Sequence, residues 1–407
     1  MPVILDTVPA RARRPARPRV WLWLGFFLLC LLLGVGASFL FADGPLHQQP
    51  VDFWRLALGL PLLGWCVLVF ARVVLHIGKQ SAADGWDDAR ERDLIRRLRK
   101  GRRCLQVLGG SFYTALRGPS AGPAGQLDAL LSGSEALKAQ PFRMDGAPLS
   151  HSRLPEDKAE DLEALFLSVL TRSFADLAPI LAQLPDDKPL ALLLEVDCRL
   201  TEDQWRPAWR KAWRESGIRQ TLVPVDGRGL EAVDRWLDQR IDDQSLLMVL
   251  AVQLAPDQPE GTAEVAVAVL FGNRLTQSVL PPFAYLHRPE QRRKSTHAGL
   301  LYTARQALDW VPLQAQSIEQ VWRAGVGAQP QIESVLLDLA MPAKPPENFC
   351  NLDALLGHAG KASPWLAIAA AAQTVERGGG PQFIFSGGAT ADGLWSTVLM
   401  PVSPLSK

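Results

Sequence analysis

Trp205, Trp209 and Trp213 recur every four residues, and Arg206 and Arg210 follow the first two by one place. That spacing sets the three indoles on one helical stripe. Such a stripe is a core face, or a protein-binding surface, since Trp and Arg anchor interfaces. A second cluster lies between His287 and His297, where Arg292, Arg293 and Lys294 follow Arg288. It is a solvated basic loop or a seat for an anionic group. The six histidines show no metal-ligand spacing, and the five cysteines form no Cys-x-x-Cys pair. Neither a metal site nor a disulfide framework is expected, and no cofactor. No GxSxG elbow, HExxH or GxxxxGK[ST] occurs. Asp242 and Asp243 are adjacent, point apart, and suit a turn better than an acid–base pair.

The elements that would position these residues begin at residue 104. A strand over 104–108 is expected to end in a turn at Gly109, Gly110 and Ser111. Residues 119–153 read as an irregular excursion with a helix near 125–138, and 155–184 as a long helix. A buried strand over 189–196 precedes a helix over 202–216 capped by Thr201. A strand over 220–224, a helix over 230–241 and strands over 244–254 and 263–271 follow. A strand over 332–339, a short helix over 352–356 and an alanine-rich helix over 361–376 come next. Strands over 382–386 and 395–400 close the chain, joined through Gly387, Gly388, Asp392 and Gly393. Helix, strand, turn, strand thus occurs at 230–271 and again at 361–400. This predicts an α/β body with mixed sheets, built from two related halves.

Ahead of the body, residues 20–41 are uncharged and long enough to cross a bilayer. Residues 53–77 form a second apolar stretch, whose uncharged core, 56–71, is flanked by Arg55 and Arg72. Gly34 and Gly36 inside the first stretch signify helix packing. Residues 1–78 are therefore read as a membrane hairpin, 79–103 as a charged juxtamembrane helix and 104–407 as the main domain. Arg11, Arg13, Arg14, Arg17 and Arg19 precede the first span and a basic run follows the second, whereas the loop 42–52 has no Lys or Arg. By the positive-inside rule both termini and the main domain are cytoplasmic, at a bacterial inner membrane. The chain carries 43 Lys and Arg against 42 Asp and Glu, which argues against a nucleic-acid protein.

The segment LGHAGKASPWLAIAAAAQTVERGGGPQFIFSGGATADGLWSTVLM, residues 356–400, resembles the C-terminal end of thiolases and β-ketoacyl synthases. A small-residue loop leads into an alanine-rich helix, and a hairpin with a glycine-rich turn closes the half. Residues 263–272 resemble the end of the first half. The resemblance implies a layered thiolase-like body, a homodimer, and chemistry by a cysteine at a strand-to-helix elbow with histidines for the oxyanion. Cys198, between strand and helix, and His358, in Gly357-His358-Ala359-Gly360, are the matching candidates. Val196-Asp197-Cys198-Arg199-Leu200 lacks the small residues of such an elbow. The second histidine, expected after the strand 332–339, is absent, because the chain there reads Met341-Pro342-Ala343-Lys344-Pro345-Pro346. The reading is a degenerate, non-catalytic adaptor or scaffold with a protein partner. Its layout looks like the membrane-anchored accessory proteins of type VI secretion. An acyl-thioester condensing or transfer enzyme using Cys198 and His358 is the alternative. A purely structural membrane component is the third reading.

Overall fold

A computed structural model describes residues 3–40, 51–118, 124–143, 146, 148–155, 161–327, 329–344, 347–387 and 393–402. It divides into two compact units, Ile4–Arg97 and a body of Leu98–Lys407 with Met1–Val3.

The first unit is built on α1 (Val20–Leu40) and α2 (Val51–Gly101). The apolar windows of both are wholly unburied, and each helix is long and apolar enough to cross a membrane. The helices meet where Gly34 faces Pro61 and the Ala57 carbonyl, so a side chain at 34 would separate them. Trp65 Nε1 donates to the Trp23 carbonyl (3.0 Å), and the Trp65 ring lies 4.8 Å from that of Phe27. Gly36 faces open space, so only one of the two glycines serves packing. The charged stretch read as a separate juxtamembrane helix is instead the continuation of α2, a single helix of 51 residues. At 1.5 Å per residue it is about 75 Å long. Pro61 is its one internal proline, and the helix runs through Gly78, at the junction of the apolar and charged parts, without a break. The chain ahead of α1 lies along that charged part. Arg90 Nε donates to the Pro9 carbonyl (2.7 Å), Ala12 N donates to Asp87 (2.9 Å), and Arg14 pairs with Asp84 and Asp87. Of the loop 42–52, residues 42–50 lie outside the described residues.

The body runs β1 (Cys104–Tyr113), α3 (Ala124–Leu131), β2 (Lys138–Pro141), β3 (Pro148–His151), α4 (Leu162–Leu181), β4 (Leu190–Cys198), α5 (Glu202–Glu215), β5 (Leu222–Pro224), α6 (Gly229–Gln239), β6 (Leu246–Leu254) and β7 (Val265–Asn273). The second half runs β8 (Ala284–His287), β9 (Glu290–Gln291), α7 (His297–Asp309), β10 (Gln320–Ala324), α8 (Pro330–Asp338), β11 (Phe349–Asn351), α9 (Leu352–Leu356), α10 (Ser363–Glu376), β12 (Gln382–Ser386) and β13 (Trp395–Pro401). The main sheet has the order β11-β10-β12-β13-β8-β1-β7-β6-β4-β5. From each end inward the plan is the same. A short edge strand lies parallel to its neighbour, a third parallel strand follows, and two antiparallel strands complete the half. The halves join through β1 and β8. The repeat read from pattern is thus a repeat of topology.

Alternation along the strands builds three cores. In β4, Ala191 and Leu193 face a central core with α3, α6 and α10, whereas Leu190 and Leu192 face an outer core with α4 and α5. In the second half Ile384 faces the centre, whereas Phe383 and Phe385 face α7 and α8. Helix, sheet, helix, sheet, helix is therefore the layer order. α10 fills the middle, with twelve of its residues buried, because its alanines let the sheet halves approach from both sides. α4 is long and apolar enough to cross a membrane, yet Leu165, Phe166, Val169 and Leu170 are buried in the body, so its apolarity serves a core.

Two expectations fail. Residues 332–339 are not a strand but most of α8. Ile332, Val335 and Leu336 have helical spacing, and Pro330 opens the helix where its fixed φ suits the first turn. The strand of that region is β10, whose Gln320 and Arg323 hide its buried character. Nor do Gly109, Gly110 and Ser111 end β1. They lie within it, beside a bulge between Val107 and Gly109. The extra residue switches faces, so Val107 and Phe112 both reach the central core.

Candidate functional site

A cavity of about 230 Å³ opens where the N-termini of α6 and α10 converge, lined by residues that include Glu195, Arg228, Gly229, Lys361, Pro364, Gly387 and Trp395. Glu195 lies on the central face of β4, two residues beyond Leu193 and therefore on the same side. Its Oε1 accepts from Gly229 N (2.5 Å) at the first turn of α6, and its Oε2 accepts from Trp365 Nε1 (2.6 Å) of α10. One carboxylate thus staples the two buried helices. Burial pushes its pKa up, opposed by those two hydrogen bonds and by the charges of Lys361 and Arg228.

A second carboxylate is held in a similar way beside this cavity. Asp353 accepts from three consecutive backbone amides, Gly325 N (2.6 Å), Val326 N (3.0 Å) and Gly327 N (3.2 Å). Successive amides pointing at one spot form an anion-binding nest. Gly325, at φ +68°, packs against Ser363 and the Gly387 carbonyl, and a Cβ there would collide with both.

Cys198 ends β4 on the other face, among residues packed on the α4–α5 core. Period two sends positions 195 and 197 to the centre and 198 away from it. The Cys198 thiol donates to the Leu200 carbonyl (3.7 Å), and burial pushes its pKa up. The helix after it, α5, is an outer helix. The helix entering the central layer in this half is α6, preceded by Asp226, Gly227 and Arg228 and by no cysteine. His358 lies over the ends of β4 and β6. Its Nδ1 accepts from Gly360 N (3.0 Å), and its carbonyl accepts from Gln253 Nε2 (2.8 Å) and Ala263 N (3.1 Å). Gly360, at φ +53°, lets Gln253 and Asp197 close in around this loop. The structure does not place Cys198 and His358 on one cavity wall. The segment to compare for a second histidine also moves, because the strand is β10 and Gly325-Val326-Gly327 follows it.

The indoles of Trp205, Trp209 and Trp213 turn toward α4. Trp205 lies 6.2 Å from Phe166, and Trp209 and Trp213 lie 5.3 and 5.4 Å from Phe174. The exposed face of α5 is left to Arg206 and Arg210, and Arg206 pairs with Glu202 (2.6 Å). The basic loop is likewise engaged internally. Arg292 is buried and donates to Gln329 (3.2 Å), Arg293 pairs with Glu290 (3.0 Å), and Lys294 faces solvent with no such partner among the described residues. Among the described residues no cluster of His, Cys, Asp and Glu is arranged to hold a metal ion.

Glu195, Arg228, Lys361 and Asp353 were not singled out from sequence. The available signal was one acid inside the apolar run PLALLLEV, and two basic residues at helix starts, where acids are favoured. The turn at Gly388 and Asp392 lies outside the described residues.

No family model and no curated protein matches this sequence. Solved structures do match its shape. The ishigamide ketosynthase/chain length factor superposes with a TM-score of 0.50 at 15% identity, over 74% of this chain and all of that one. A beta-ketoacyl synthase from Burkholderia phymatum STM815 gives 0.52 at 10% identity, again over 74% of this chain and all of its own. The body has the thiolase-like fold, as residues 356–400 implied. Identities this low speak to fold alone.

Proposed function

We propose that the chain is a membrane-anchored, non-catalytic thiolase-like scaffold whose body binds a protein partner at the cytoplasmic face of an inner membrane. One observation carries the reading. The backbone amides that converge beside the cavity, where an enzyme would stabilise a developing anion, are occupied by the protein's own carboxylates, Glu195 and Asp353. No described residue lining the cavity is a Cys, Ser or His, and Cys198 sits on the far face of its strand.

The anchor reading rests on two unburied apolar helices. The basic segment ahead of α1 lies along the charged part of α2, so both basic flanks share one side, which the positive-inside rule makes cytoplasmic. A two-span anchor ahead of a degenerate body fits an accessory component of type VI secretion, acting as a homodimer.

The test uses the full chain in mild detergent, incubated with acetyl- and malonyl-thioesters. Intact-mass spectrometry follows the protein, and chromatography follows the thioesters. We expect no acyl adduct and no turnover, and we expect Cys198→Ala and His358→Ala to co-purify with the same membrane proteins as the unaltered chain. An adduct at Cys198, or turnover lost in either variant, would overturn the reading in favour of an acyl-transfer enzyme.

A further inference from the structure

The cavity keeps two cations that the staple does not consume. Arg228 is the N-cap of α6, and Lys361 lies two residues ahead of α10. Each puts positive charge at the positive end of a helix, against the usual preference. Neither side chain has a hydrogen-bond or ion-pair partner among the described residues, and the two act together on Glu195. The acids nearby are already engaged. Glu231 pairs with Arg235 (2.8 Å), and both Glu195 oxygens accept hydrogen bonds. Two unfavourable placements facing one cavity point to a charge that arrives from outside.

The remaining walls say what that charge is attached to. Leu230, Pro364 and Trp395 give the cavity apolar surface. At about 230 Å³ the space lies below the roughly 300–1,000 Å³ of sites for drug-sized ligands. A phosphate leaves the apolar walls unused, and a long chain does not fit. We infer that the cavity binds a short organic acid. Its carboxylate is held between Arg228 and Lys361, and its aliphatic body lies against Trp395, Leu230 and Pro364. This goes beyond the scaffold reading and does not depend on it, because a scaffold with an empty cavity remains a scaffold.

The test is ligand-observed NMR on the full chain in detergent, with butanoate, butylammonium and inorganic phosphate as probes. Butanoate should give saturable transfer that butylammonium does not. Arg228→Ala and Lys361→Ala should each weaken it about tenfold or more, the scale of one charge-assisted contact. Lys361→Arg should keep most of the affinity. Both side chains reach solvent, so melting temperatures should hold and a lost signal would report the site rather than the fold. Absence of butanoate transfer, equal transfer from butylammonium, or indifference to both alanine variants would overturn the assignment. Displacement of butanoate by equimolar phosphate would overturn the organic-acid class. None of these results alters the thioester experiment.

Discussion

Gly360 is the tightest point of the loop that carries His358 and Lys361, and its replacement by alanine has a cost that separates into two parts. The backbone sits at φ +53°, where an L-side chain costs about 1–2 kcal/mol. The new methyl would also overlap Gln253 Oε1 and approach Asp197 Oδ2 at 3.2 Å. Gln253 must then swing away, giving up hydrogen bonds to the carbonyls of Ala263 (2.9 Å) and His358 (2.8 Å), about 1 kcal/mol each. Gly360→Ala should therefore destabilise the body by about 3 kcal/mol, lowering Tm by roughly 5–10 °C. Near-ultraviolet circular dichroism of the full chain in detergent reads this directly. In a Gln253→Ala background the steric part vanishes, and only the backbone part of about 1–2 kcal/mol should remain. Equal losses in the two backgrounds would refute the assignment of this loop's rigidity to Gln253.

Two further outcomes follow from packing and from protonation. Trp209→Ala should destabilise the body by about 3 kcal/mol in the same melt, whereas Arg210→Ala should stay within about 0.5 kcal/mol; an unchanged Trp209→Ala melt would return the stripe to the status of a binding surface. Burial raises the pKa of Glu290 to about 7, so between about 4.5 and 7 the folded form holds a proton the unfolded chain has released. Its contribution to stability is full below that window and is lost as pH rises through it. Glu290→Gln should flatten this part of the Tm–pH profile, and an unchanged slope would count against it. His287, depressed to about 4 by burial, acts in the opposite sense, losing its contribution as pH falls from about 6.5 to 4.

Much of the fold was legible because its signals are local. α9 and β12 match their sequence-derived bounds to the residue, since Asn351 caps the one and glycines precede the other. The alanine-rich helix announced a crowded environment by its composition. What stayed hidden was set by tertiary context. The eight residues from Ile332 to Leu339 include Glu333, Ser334 and Asp338, and the burial of Ile332, Val335 and Leu336 on one helical face decides their period. Cys198 is the nearest elbow candidate in the sequence because sequence shows order along the chain and not the face of a strand. The parity of a single position, 195 against 198, separates the cavity from the outer core. The staple of Glu195 joins residues 170 apart in the chain, which no short motif encodes.

The junction of the halves has a consequence for how the body is made. β1 is the first strand of the body to leave the ribosome, yet its neighbours are β7 and β8, and Gln106 meets Gln277 across 171 residues. Both edges of this mostly buried strand stay unpaired while nearly half the chain is synthesised. Contacts of such range are slow to form, and an open apolar edge invites wrong pairing in the interval. The bulge at Gly109 lies in that waiting strand and bends it, a feature that blunts an edge against strangers. The order of synthesis thus keeps the seam between the two halves open until β8 has been made, with β9 to β13 still to follow.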